Sequence, residues 1–162
     1  MSHRAIILTL GVAQTLAWAG SYYIPAVLAG SMARDLGVAT PAVFLAFSGA
    51  LLLTAFLGPA VGRVIDRHGG RGILAAANLV FALGLVLLAS AQGIVTLYVA
   101  WAVMGLGMAM GLYDAAFATL ARLLGREARG AITGITLIAG FASTVGWPLS
   151  TLLEAQIGWR GT

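Results

Sequence analysis

Five long apolar runs, at about residues 5–33, 41–62, 73–91, 94–124 and 131–153, are separated only by short clusters of charge, glycine and proline. Each is long enough for a helix to cross a bilayer, for which roughly 17 to 25 residues suffice. A chain built this way cannot cover itself as a soluble globule. Hydrophobic residues make up 60% of it and charged residues 9%, with a mean hydropathy of +0.99, leaving too little polar side chain for a water-facing surface. The expected fold class is an all-α polytopic membrane protein, one incomplete transmembrane domain over residues 1–162.

The first run begins directly after His3 and Arg4 and is longer than the core of a cleavable leader, so it is predicted to be retained as a span. There is no cysteine, which excludes disulfides and thiolate metal sites. All nine basic residues are arginine and the net charge is +4. No basic stripe interleaves with aromatic residues, so nucleic acid is not an expected partner. Membrane orientation explains the arginines better. Arg4, Arg63, Arg67, Arg71, Arg122, Arg126 and Arg129 fall on one side of the five-span scheme, with Arg34 and Arg160 on the other. Seven against two places the N-terminus in the cytoplasm. The fifth run is expected to end before Glu154, leaving AQIGWRGT outside; a sixth span would return the chain to the cytoplasm.

Between the second and third runs lies GRVIDRHGGR, residues 62–71, with four of the fourteen charges in ten positions. By residue type it reads Gly62, Asp66, Arg67, Gly69, Gly70, Arg71. Gly62 is expected to let the end of the second helix approach a neighbour closely. Gly69 and Gly70 are expected to supply the positive φ of a tight reversal. Asp66 is expected to accept hydrogen bonds from a helix N-terminus or to pair with Arg67 or Arg71.

The pattern and its place between spans two and three resemble the signature loop of the major facilitator superfamily, departing at Gly70, where that family usually has a basic residue. The resemblance implies the larger part of the N-terminal six-helix half of a transporter, with helices one to five present. It also implies that Gly62, Asp66, Arg67, Gly69 and Arg71 belong to a latch that holds the two halves in one conformation. GlyTrpArg at 158–160 resembles the family's entry to helix six. Two further family patterns fail in part: Trp101 stands in WAVMG where proton-coupled members have an arginine, and Trp147 separates Gly146 from Pro148.

Asp114 is the one acidic residue inside a predicted span. Such a group is expensive in a membrane and faces a wet cavity or a partner. It reads either as a proton-coupling group or as a structural carboxylate paired with a neighbouring arginine. Gln14, Trp18, Ser21 and Tyr22 share one helix face and are the candidate lining of a solute cavity. Tyr23 reads as interfacial aromatic belt, and Pro25 as a kink. Asn78 is expected to bond across to another helix. Thr133, Thr136, Ser143 and Thr144 are expected to bond their own helix. Glycines in the fourth and fifth runs are packing residues; GlyLeuGly inside an apolar span is no nucleotide loop.

The expected function is secondary active, proton-coupled transport of a small solute by alternating access in the inner membrane, with the second half of the transporter as the missing partner. An isolated 162-residue segment is then expected not to transport. The alternative is a natural short membrane-embedded accessory protein that binds a partner through its glycine-rich helices. No enzymatic activity, cofactor or metal is expected: His3 and His68 sit at a terminus and in the loop.

Overall fold

The computed structural model describes residues 3–162 and consists of α-helices and one 3-10 turn. Four helical segments are long and apolar enough to cross a membrane: 4–36, 40–68, 71–89 and 94–161. The fourth is 68 residues long. As a single rod it would reach roughly 100 Å, against a hydrocarbon core of about 30 Å. It doubles back at the 3-10 turn Gly125–Glu127, where Gly125 adopts φ 54°, so the chain makes five passes.

Three of the passes are broken. The first comprises α1 (His3–Ala19) and α2 (Ile24–Leu36). The break falls at residues 20–23, just ahead of Pro25, which lies in the first turn of α2 where its missing N–H is harmless. The second pass is α3 (Thr40–His68) and the third α4 (Arg71–Ala89). The fourth is α5 (Ile94–Gly111) and α6 (Tyr113–Leu124), interrupted where Leu112 turns extended at φ −85° and ψ −169°. The fifth is α7 (Ala128–Ala139) and α8 (Ala142–Gly161).

These bounds correct the sequence expectation in two places. The second helix does not stop at Gly62: Arg63–His68 complete it, and the connection to α4 is only Gly69 and Gly70. Nothing between Gly62 and Gly69 breaks a helix, and charge alone does not. Nor does the fifth helix stop before Glu154. It runs on until Gly158 leaves helical geometry at φ 71°, ψ 173°, after which Trp159 begins a new turn.

The fourth pass is the centre of the bundle: α5 packs along α3 and α4, while α6 packs on α3 and α7. The first and fifth passes lie alongside each other, α1 against α7 and α2 against α8. Lipid gives apolar helices no hydrophobic reason to associate, so close packing at small residues has to hold them. At Gly105 an added Cβ would sit 2.6 Å from the Ala50 carbonyl oxygen, and Thr54 Oγ1 donates to the Gly105 carbonyl at 2.9 Å. Around this crossing Val43, Leu97, Trp101, Met104 and Met108 are fully buried. A second cluster, Leu120, Ala128, Ala131 and Ile135, joins α6 and α7 to the start of α1. Asn78 does not reach another helix; it donates to Leu74 O in its own at 2.9 Å. Thr133 and Thr136 bond back to their own helix.

Candidate functional site

At the end of the bundle that carries Arg63, Arg67 and Arg71, the signature segment is held by a residue sequence reasoning left out. Arg122, in the last turn of α6, donates through Nη1 to Ile65 O at 3.1 Å and through Nη2 to Arg67 O at 3.3 Å. A helix leaves its last carbonyls without partners. Here a guanidinium from the fourth pass reaches the carbonyls on either side of Asp66: it supplies a donor to Arg67 O and shares Ile65 O with the capping Gly69 N–H, which donates to it at 2.8 Å. Asp66 itself is exposed and, among the described residues, forms no hydrogen bond or ion pair, so the expected pairing with Arg67 or Arg71 is absent. Arg67 and Arg71 are exposed as well.

The glycines divide differently from expectation. Gly69 does take a positive φ, 90°. Gly70 does not: its φ is −93°, and its role is steric, because an added Cβ would lie 1.7 Å from Thr119 Oγ1. Gly62 has no atom within 4 Å of where a Cβ would be, so among the described residues it makes no close approach.

Deeper in the bundle, the break at Leu112 lies against Gln14, one of the four residues expected to line a solute cavity. Ending α5 at Gly111 leaves that carbonyl without its helical partner, and Gln14 Nε2 donates to it at 2.6 Å. Gln14 is 2% exposed, so its amide is a cap on α5 and not a freely presented cavity group; its Oε1 is buried without a partner among the described residues. Ser21 also leaves the cavity set, being buried and donating to Ala17 O of its own helix at 2.6 Å.

Trp18 and Tyr22 belong to a larger aromatic assembly. Trp18 meets Tyr113, the first residue of α6, in a tilted contact at 4.9 Å, and Tyr22 in another at 5.0 Å. Tyr22 meets Phe47 of α3 edge-on at 5.3 Å, and Phe47 meets Trp101 at 5.2 Å. Tyr113 stacks on Phe117 at 5.0 Å. Tyr23 contacts Trp18 and meets Trp147 of α8 edge-on at 5.9 Å, so it belongs to this assembly as well. Trp18 Nε1 is buried without a partner among the described residues, while Tyr22 and Trp147 are partly open to the outside of the bundle. Phe47, Tyr113, Phe117 and Trp147 were missed in the sequence. One cue was available: Tyr113 and Phe117 lie one turn apart and flank Asp114.

Asp114 lies in the first turn of α6, where the helix dipole favours an anion. It is exposed and, among the described residues, has no hydrogen bond or ion pair, so the expected arginine partner is missing. Three residues from Phe117, it shares that ring's helix face. α3, α4 and α7 pack against α6, and Asp114 is on a part of it that they leave exposed.

A multi-pass helical bundle with this signature segment matches known proteins. The sequence profile of the Major Facilitator Superfamily fits residues 10–162, and the chain belongs to that family. It is 33% identical over 127 residues to the Multidrug resistance protein B homolog of two Mycobacterium tuberculosis strains, covering 78% of this chain and 23% of the relative. It is 28% identical over 150 residues to Vacuolar basic amino acid transporter 1 of Saccharomyces cerevisiae, covering 88% of this chain and 26% of the relative. The chain thus spans about a quarter of the length of the curated relatives it matches.

Proposed function

We propose that this chain supplies the first five passes of a secondary transporter that moves a small organic solute across the inner membrane by alternating access, coupled to protons through Asp114. The N-terminus and the Arg122-braced signature segment face the cytoplasm in this reading, supported by the seven arginines at that end. The observation that carries it is the unpaired Asp114 carboxylate beside the Tyr113, Phe117 and Trp18 rings at a broken helix. Aromatic faces and a carboxylate together suit an organic cation, which ring quadrupoles attract. Similar proteins carry names for multidrug resistance and for basic amino acid transport, which supports that solute class. Binding of cation and proton at one carboxylate is mutually exclusive, and exchange of one for the other follows. The signature residues Gly62, Asp66, Arg67, Gly69 and Arg71 form the latch against the transporter's other half; the exposure of Asp66 supports this, since a partner inside the chain would occupy it.

The experiment is solute-dependent proton flux in proteoliposomes holding the full-length protein. Tetraphenylphosphonium and arginine are offered as probe cations, and a neutral sugar serves as control. Flux with a cation and none with the sugar is the expected result; flux with the sugar alone would refute the solute class.

A further inference from the structure

At the end of the bundle opposite the signature segment, a second polar cluster is unconnected to the solute site. Asp35 lies in the last turn of α2, where the helix dipole disfavours an anion. Nothing local to α2 therefore favours a carboxylate there. Its partners come from the far end of the chain. Trp159 Nε1 donates to Asp35 Oδ2 at 3.0 Å, Arg160 Nε donates to the same oxygen at 3.0 Å, and Arg160 Nη2 lies 2.9 Å from it. Arg160 Nη1 donates to Ala89 O, the last carbonyl of α4, at 2.6 Å, and its guanidinium lies 4.4 Å from the Trp159 ring centre. The left-handed turn at Gly158 sets both side chains back toward Asp35. One turn away, Ser31 donates to Glu154 of α8 and accepts from Arg34 Nη2 at 2.9 Å.

These contacts tie α2 to the far part of α8, and both are cut off from the rest of their passes. Residues 20–23 separate α2 from α1, and Gly140 and Phe141 separate α8 from α7. Near both breaks the two passes touch closely: a Cβ on Gly146 would lie 3.0 Å from the Ala19 Cβ. Tyr23 and Trp147, in edge contact, sit beside that crossing.

We propose that α2 and α8, clasped by Asp35, Trp159 and Arg160, form one rigid arm that pivots about the Ala19–Gly146 crossing and carries Tyr23 and Trp147 with it. The clasp holds throughout the motion, and the two helix breaks absorb it. A rigid arm of this kind changes the aromatic lining at one end of the bundle without separating α2 from α8. The inference concerns the helices of this chain and stands whether or not Asp114 handles protons.

Pulsed electron paramagnetic resonance on the full-length protein in lipid nanodiscs tests it. This chain has no cysteine, so labels enter it only where introduced. One label pair lies within the arm, at Ala26→Cys and Gln156→Cys; the other crosses the breaks, at Ala26→Cys and Leu8→Cys, and all three positions are exposed. The arm pair should give one narrow distance distribution and the crossing pair a broad or two-peaked one. Asp35→Asn combined with Arg160→Gln should broaden the arm pair to the width of the crossing pair. An arm pair as broad as the crossing pair in the otherwise native protein, a crossing pair as narrow as the arm pair, or an arm pair indifferent to the clasp substitutions would each overturn the proposal. The first two outcomes need no clasp variant, so a misfolded variant cannot shield the idea.

Discussion

Gly70 and Thr119 are packed so closely that any side chain at Gly70 would overlap the threonine hydroxyl, with a Cβ 1.7 Å from Oγ1. Thr119 is 2% exposed and donates to Ala115 O at 2.7 Å, so it has little room to move. The departure from the family's usual basic residue at this position thus has a local cause: the start of α4 lies directly on α6. Replacing Gly70 with alanine should cost about 1 to 3 kcal/mol by overpacking, and with arginine more. The melting midpoint in detergent should fall for Gly70→Ala and recover in part when Thr119→Ala is added. Additive losses in the double variant would contradict the contact.

Arg122 braces two carbonyls at the end of α3 from a partly exposed position. Arg122→Gln should loosen that helix end by about 1 kcal/mol, since bonds from a charged donor are worth more than that only when shielded from water. Arg122→Lys should restore little, because an ammonium does not present two donors in a fixed fork. Amide exchange of residues 65–71 reads the effect directly: both variants should exchange faster there, and protection unchanged from the native protein would remove Arg122 from this role.

Gln14 bonds a carbonyl that the break at Leu112 leaves open. Gln14→Leu keeps the bulk and strands Gly111 O in a buried site, at a cost of about 1 to 3 kcal/mol. Thermal stability should drop accordingly, and cation binding should weaken because Tyr113 follows the break. A variant as stable as the native protein would show that water or another group caps α5 equally well.

Trp18 joins the rings of the first pass to Tyr113. Trp18→Phe retains an aromatic face and should bind a probe cation almost normally, whereas Trp18→Ala loses ring contacts worth about 0.5 to 1.5 kcal/mol apiece beyond their area. Calorimetric titration with tetraphenylphosphonium distinguishes the two. Equal losses would mean that the indole N–H, and not the ring face, matters.

Much of the architecture was legible because membranes impose simple rules: length and apolarity locate passes, and arginines mark ends. The helix breaks were only partly legible. Pro25 announces the one in the first pass, but Leu112 breaks the fourth with no glycine or proline in its own position, and its stabilising partner, Gln14, is 97 residues away in sequence. Glu154 misled for the opposite reason. A lone carboxylate reads as the end of a span until Ser31, 123 residues earlier, is seen beside it. Trp18 and Tyr22 were found from helical spacing, but Phe47 and Trp147 lie on other passes, and only packing brings them to the same rings. Ser21 had the right spacing and the wrong direction, turned back on its own helix.

The central claim is that Asp114 couples protons to solute movement. Its most direct test is tetraphenylphosphonium-dependent proton flux in proteoliposomes of the full-length protein, comparing native protein with Asp114→Asn. Flux should vanish in the variant while melting temperature and insertion stay normal, since Asp114 has no hydrogen-bond or ion-pair partner among the described residues to lose. Native flux in a folded Asp114→Asn protein would contradict the account and leave the carboxylate as a helix-terminal charge.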